Sequence, residues 1–319
     1  MIGAWSVHAV AAQTLNLRYA QAYSAAHSIF ALPVSVAESE GLFAREGLRV
    51  PVVIPIPGGS DKMIAALHDD WADVTHVATP FLIRAALAGS DAVAIDAEFN
   101  SPIYSLIGKP EIKSFADLRG KLIGLADQAG TISLSTFKLL AMHGLNRGSY
   151  AVKIIEGTPT RLDCLRRGDC DAVVLGQPQD LQAIEDGYAV LGRSDEAVPD
   201  YLYTVTAVRR SFGDAHREAI SRFVRAMSAA NDFIRAAKNR DRVIAIIAQT
   251  TGASDDIASK TLDLLFQPGR HVLPDHAAID VYCLQQVITM LAEAGLIGKP
   301  TPEAARFVDS QYLRAAGIQ

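Results

Sequence analysis

Cysteine is scarce in this sequence, with three thiols, Cys164, Cys170 and Cys283, among 319 residues. Three cannot build a disulfide framework, and their spacing matches neither a CxxC pair nor a zinc site. Buried inert thiols are the expected state, with a Cys164–Cys170 bridge as the alternative in an oxidising compartment. Basic charge is not in excess either, since 30 Lys and Arg face 35 Asp and Glu for a formal charge of −5. The cations are scattered and form no stripe that could follow a phosphate backbone by counterion release, so no nucleic-acid partner is expected. No stretch approaches the ~20 apolar residues that a membrane-spanning helix requires. The GxSxG, HExxH, GxxxxGK[ST] and GxGxxG patterns are missing, which excludes the serine-hydrolase elbow, the zincin, P-loop and dinucleotide fingerprints. Neither a cofactor nor a metal is expected, and no catalytic residue is assigned.

What is present is a chain with 50% hydrophobic and 20% charged residues, long enough for about two domains that each bury a core. Met1 to Ala12 (MIGAWSVHAVAA) are small and apolar, lack Lys and Arg, and end in Val10-Ala11-Ala12, which resembles a signal-peptidase site. The expectation is a remnant of an export signal, although the basic n-region and longer apolar run of a complete signal are absent. A disordered or packed tail is the other reading.

From Thr14 onward, short apolar or alternating runs alternate with longer amphipathic ones, the signature of βαβ units around a mostly parallel sheet. The expected elements are strands at 15–19, 50–56, 72–77 and 91–96, with helices over 28–45, 61–68 and 81–88. Pro51 and Pro55 each remove a ladder donor and so argue for an edge or short strand at 50–56. After Asn100 the pattern restarts with strands at 103–108, 121–125, 152–156 and 172–175 and helices over 132–143, 159–167 and 179–186. A strand at 201–208 returns, and from Asp214 onward the pattern is helical, with amphipathic runs over 217–237, 241–249, 255–265 and 276–294 and a short piece near 302–307. Phe223, Met227, Phe233 and Met290 recur at helical spacing and read as core. The fold class is α/β.

Ligands of open parallel sheets sit beyond the carboxyl ends of the strands. Three loops there combine small residues with hydroxyls: Gly58-Gly59-Ser60, Gly130-Thr131-Ile132-Ser133 and Gly157-Thr158-Pro159-Thr160. Each offers backbone N–H groups and the positive end of a helix dipole to an anion, or else supplies an ordinary N-cap. Their recurrence in both halves points to a shared cleft. The eight histidines are isolated, and His27, in the loop after the first strand, is the one placed to touch a ligand. Asp163, Asp169 and Asp171 with Arg161, Arg166 and Arg167 read as a solvated helix surface. Tyr23 and Phe81 hint at a ring or apolar tail in the ligand, with core packing as their other reading.

Several motifs in order carry a family likeness. Ala37 to Val50 (AESEGLFAREGLRV), Pro57-Gly58-Gly59-Ser60, the Leu-x-x-x-x-Ala-Asp run ending at Asp73, Lys113 to Gly124 (KSFADLRGKLIG) and Leu165 to Val174 (LRRGDCDAVV) resemble solute-binding proteins of nitrate, sulfonate, taurine and thiamine-precursor ABC importers. The resemblance covers roughly Leu15 to Ala237. It implies a type II periplasmic-binding-protein fold, two doubly wound α/β lobes joined by two hinge strands, with the C-terminal helices packed on the first lobe. Residues 1–12 would be the signal remnant, 13–100 with 206–319 the first lobe, and 101–205 the second. It further implies a periplasmic, monomeric protein that captures a small anionic or polar organic solute and delivers it to an inner-membrane ABC permease. By position, the ligand loops would supply Tyr23, Ser24, His27, Gly59, Ser60, Thr79, Gln128, Gly130, Thr131, Ser135, Gly176 and Gln177. Asp70-Trp71 departs from the small, glycine-containing turn usual before Ala72-Asp73. Relatives of the same fold that do chemistry, pyrimidine-precursor synthases and sulfinate desulfinases, rely on cysteines. Here the first cleft loop carries Ser24 and His27 but no cysteine.

Overall fold

The structure, a computed structural model, describes residues 14–50 and 54–318. The apolar N-terminal stretch and Pro51 lie outside the described residues. The described strands are β1 (Leu15–Asn16), β2 (Tyr19–Ala22), β3 (Leu48–Arg49), β4 (Ile54–Ile56), β5 (Val74–Ala78), β6 (Ala92–Phe99), β7 (Ser105–Gly108), β8 (Leu122–Leu125), β9 (Ala151–Ile154), β10 (Ala172–Leu175), β11 (Ala189–Arg193) and β12 (Thr204–Arg209). One five-stranded sheet has the order β4-β2-β5-β12-β6, the other β11-β7-β10-β8-β9, and β1 pairs with β3 apart from both. β5 and β10 are buried along their whole length; β10 accordingly reads as an unbroken apolar run rather than an alternating one, while β5 carries the buried polar residues Thr75 and His76.

The sheets are mixed, and the reason is visible in the crossings. The chain leaves the first sheet after β6 and enters the second as β7, which runs antiparallel to both of its neighbours, β10 and β11. It returns after β11 as β12, which runs antiparallel to both β5 and β6. Each sheet therefore receives one reversed strand, the one by which the chain enters it from the other sheet. The two crossings are 100–104 and 194–203.

The helices follow their sequence signals. Arg217–Arg235 buries Ile220, Phe223, Val224, Met227, Ala230 and Ile234 on one stripe, the i, i+3, i+4, i+7 spacing of an amphipathic helix. Phe223 stacks on Tyr19 of the first sheet and on Phe43 with ring centroids 5.9 and 5.4 Å apart. That contact, with those of the 240–251 and 281–293 helices, packs the C-terminal segment on the first sheet's layer. Asp255–Leu265 starts where Ser254 accepts the Ile257 N–H at 3.3 Å, a Ser cap followed by two aspartates at the positive end of the dipole.

Some expectations are corrected. The single helix over 28–45 is three pieces, a 3₁₀ turn at 29–31 and helices at 32–39 and 42–45, broken where Gly41 takes φ 65°. Of the strand expected at 50–56, residues 51–53 lie outside the described residues, and β4 stands at a sheet edge with Pro55 in it. The strand expected from residue 103 begins at Ser105, the helix expected from His276 begins at Val281, and β11 was not expected at all. Asp70, in the turn before Ala72-Asp73, takes the left-handed conformation at φ 57°. Asp tolerates it better than most residues, and Arg18 and Arg209 hold it through its carbonyl and its carboxylate.

The thiols at 164 and 170 are not free. Gly168 at φ 78° turns the chain back, Cys170 N–H donates to the Cys164 carbonyl at 3.2 Å, and the two sulfurs are bonded across Cα atoms 5.4 Å apart. Cys283 is unpaired. Peptide mapping without reductant is expected to recover residues 164 and 170 in one cross-linked fragment and to alkylate Cys283 alone. Reduction should lower stability by about 2 kcal/mol, the loop-entropy value for so short a loop. Full alkylation at all three positions of the oxidised protein would contradict the pairing.

Candidate functional site

The carboxyl ends of β2, β4, β5, β8, β9 and β10 open into loops that face one another across a cavity of about 420 Å³, where open α/β sheets place ligands. Helices 60–68, 131–142 and 158–166 begin at this cavity. Their N-caps are Gly59, Gly130 and Gly157, and none has a side-chain cap. The hydroxyls read as caps stand one residue later and do other work. Ser60 Oγ accepts the Ala78 N–H at 3.0 Å, Thr131 Oγ1 meets the Tyr201 hydroxyl at 3.2 Å, and Thr158 Oγ1 accepts from Arg161 at 3.1 Å. The first-turn N–H groups of these helices therefore have no hydroxyl in front of them, and the dipoles point into the cavity.

Arg161 is the residue that sequence reasoning placed wrongly. It is not on a solvated surface but 2% exposed, and it lines the cavity. Its Nε donates to the Val174 carbonyl at 2.6 Å, Nη1 to the Ile155 carbonyl at 3.0 Å and Nη2 to Thr158. Three of the five N–H donors of a guanidinium are thereby committed, which leaves one on each terminal nitrogen. Among the described residues no carboxylate pairs with it. Burial lowers its pKa, while Tyr104 and Asp127 oppose that shift, and an arginine stays charged throughout the physiological range. A buried cation without a counter-ion is costly. The signal was available: Leu162 and Leu165 share the buried stripe of the helix with Arg161, and position 161 falls on it at i−4 from Leu165. Arg166 and Arg167, by contrast, are exposed and paired with Asp186 and Asp169.

An aromatic wall completes the cavity. Phe30 stacks on Tyr104 at 5.4 Å and meets Tyr203 edge-on at 5.2 Å, while the Tyr104 and Tyr203 hydroxyls lie 2.9 Å apart. Burial pushes the Tyr104 phenol up to about 12 and the Tyr203 phenol upward as well, so both are neutral donors. Phe81, from the first half, reaches across to Gly130 of the second, where an added Cβ would stand 2.9 Å from its ring.

His76 also lines the cavity and contacts the Glu98 carboxylate. Glu98 accepts the Tyr19 and Thr206 hydroxyls at 3.0 and 2.9 Å. Next to it on β6, Asp96 is fully buried, and desolvation with the Glu98 charge raises its pKa to about 7.

Of the residues proposed from sequence, Ser24, Gly59, Ser60, Gln128, Thr131 and Gly176 line the cavity together. Gly130 stands just behind, against Phe81 and Asp127. The structure places the others away from the lining. Tyr23 is 58% exposed with its ring on His27, and His27 Nδ1 bonds the Tyr23 carbonyl at 2.8 Å. Thr79 is spent on the Leu202 carbonyl, Ser135 on Ile132, and Gln177 on the Ile103 carbonyl and Asp180.

Two α/β units facing one cavity, joined by two crossings, define a bilobal protein of the periplasmic-binding-protein fold. The family model described as "NMT1/THI5 like" matches residues 30–239, and the chain belongs to that family. Among solved structures it is similar to the alkanesulfonate-binding protein SsuA from Xanthomonas axonopodis pv. citri bound to MOPS, at 17% identity and TM-score 0.71 over 93% of this chain and 99% of that one. It is similar to the periplasmic nitrate-binding protein NrtA from Synechocystis PCC 6803, at 14% identity and TM-score 0.74 over 96% and 89%. A Candida albicans protein described as having the generic periplasmic binding protein fold matches at 15% identity and TM-score 0.72 over 95% and 96%. None of the curated proteins matches the chain by sequence.

Two outcomes follow from this geometry. Gly130→Ala puts a Cβ 2.5 Å from Asp127 Oδ2 and 2.9 Å from Phe81. It is expected to cost about 1 to 3 kcal/mol in urea unfolding, the usual range for overpacking. Gly298→Ala, with nothing within 4 Å of its added Cβ, should stay within about 0.5 kcal/mol of wild type. Equal effects would contradict the close approach. Asp96 titrates near 7 in the fold against about 3.9 unfolded, so the folded state holds the extra proton between those values. Its contribution is present below about pH 4 and is lost as pH rises to about 7. Asp96→Asn should remove that slope and raise stability at pH 8, by at most about 4 kcal/mol, in melts recorded from pH 4 to 8. An unchanged slope would contradict it.

Proposed function

We propose that this chain is the periplasmic substrate-binding component of an ABC importer, which captures a small organic anion between its lobes and delivers it to a membrane permease. The lobes are residues 13–100 with 206–319, and 101–205, moving about the two crossings. The observation that carries the reading is Arg161, a buried cation with two uncommitted N–H donors in a cavity shared by both units. The three glycine-capped helix starts add backbone donors and dipole ends to the same space. SsuA and NrtA, whose names state a sulfonate and a nitrate ligand, support an anion as the solute class.

The test is a thermal-shift and calorimetric panel of organic sulfonates and carboxylates on the purified protein. A ligand at about 100 times its dissociation constant should add roughly 2.7 kcal/mol of stability and be recovered unchanged. Arg161→Lys keeps a charge but not the fork, and is expected to weaken binding by at least about thirtyfold, or about 2 kcal/mol, as for other truncated buried charge contacts. Circular dichroism of the variant separates that loss from unfolding. Binding unaffected by the substitution would refute the assignment.

A further inference from the structure

The charges and rings that surround Arg161 restrict the ligand further than its sign, and this inference rests on the anion reading above. Among the described residues lining the cavity, Arg161 is the one Lys or Arg, whereas Asp61, Asp127 and Glu156 supply three carboxylates. Asp61 and Glu156 are exposed and Asp127 is half-buried, while Arg161 lies inside. One ligand anion can therefore be matched at depth, and a second would have to sit among protein carboxylates in a space with reduced screening. Four rings line the same cavity: Phe30, Tyr104 and Tyr203 are 4–6% exposed and Phe81 is half-buried. A cavity of about 420 Å³ is in the range of clefts for organic molecules and far above one water's share of about 30 Å³. An ion of three or four atoms would leave those rings against water. The Tyr104–Tyr203 pair uses one O–H on the other, and the second O–H has no acceptor among the described residues. It is the neutral donor that a carboxylate or sulfonate on Arg161 can use.

We propose that the solute is a ring-bearing monoanion whose acid group sits on Arg161 and the tyrosine pair, with its ring held by Phe30 and Phe81, and that dianions are excluded by the acidic rim. Any ionisable group at the far end of the ligand is then neutral or cationic.

The test is isothermal titration of the full chain with four probes, benzoate, benzenesulfonate, acetate and terephthalate, at pH 7.5 and fixed salt. At least one aryl monoanion is expected to bind ten times or more tighter than both acetate and terephthalate. Phe81→Ala should erase most of the aryl preference. Glu156→Gln, an exposed substitution, should narrow the gap between benzoate and terephthalate severalfold. Acetate binding as tightly as the aryl acids would overturn the inference and leave the anion reading standing. So would terephthalate binding as tightly as benzoate, or a gap unmoved by Glu156→Gln. If none of the four binds, while a larger sulfonate or carboxylate from the panel does and depends on Arg161, the inference falls alone. If nothing in either set binds, the anion reading falls and takes the inference with it.

Discussion

The site depends on one anchored charge. Arg161 ties the carbonyl at the end of β10 to the one that follows β9 and to the first hydroxyl of its own helix. These bonds fix the strand ends around the cavity and at the same time carry a full positive charge to a place that water reaches poorly. Burial makes that charge expensive when it is alone and makes any anion that reaches it correspondingly well held. The other features, aromatic wall, glycine-capped helix starts and acidic rim, acquire their meaning from where that cation stands.

A second layer of contacts ties the two units and the crossings together around the cavity. Phe81 touches Gly130, Thr131 meets Tyr201 of the returning crossing, and Tyr104 of the outgoing crossing pairs with Tyr203. A residue on each crossing thus bonds either a cavity loop or the other crossing. A ligand that reorders Thr131 or the tyrosine pair would act directly on the segments that join the units. Such coupling needs no long pathway, because the crossings and the wall share side chains.

Much of the fold was legible because its signals are local. The strand Ala172–Leu175 and the helix Asp255–Leu265 match their expected limits, one as an apolar run and the other through a Ser cap and period. Failures have physical causes. β11, with Gly192 inside it and a bulge against β7, has too weak an alternation to stand out. The mixed sense of the sheets comes from the pairing of β7 with β10 and β11, and of β12 with β5, strands far apart in sequence. The cavity loops were legible as loops, and half of the proposed ligand residues line it. Tyr104 and Tyr203 were not, since only the topology brings two crossing segments together. Arg161 was lost among neighbouring charges, although its position on the helix period distinguished it from Arg166 and Arg167. The disulfide likewise depends on a turn at Gly168 that spacing alone leaves undetermined.

The central claim is that a ligand acid completes the buried Arg161 charge. A crystal structure of the protein grown with an organic acid that stabilises it tests this directly. The account predicts the acid oxygens within hydrogen-bond distance of Nη1 and Nη2 of Arg161, inside the cavity, with the bonds to Val174 and Ile155 kept. An acid bound elsewhere, or Arg161 turned to pair with a protein carboxylate such as Asp127, would contradict it.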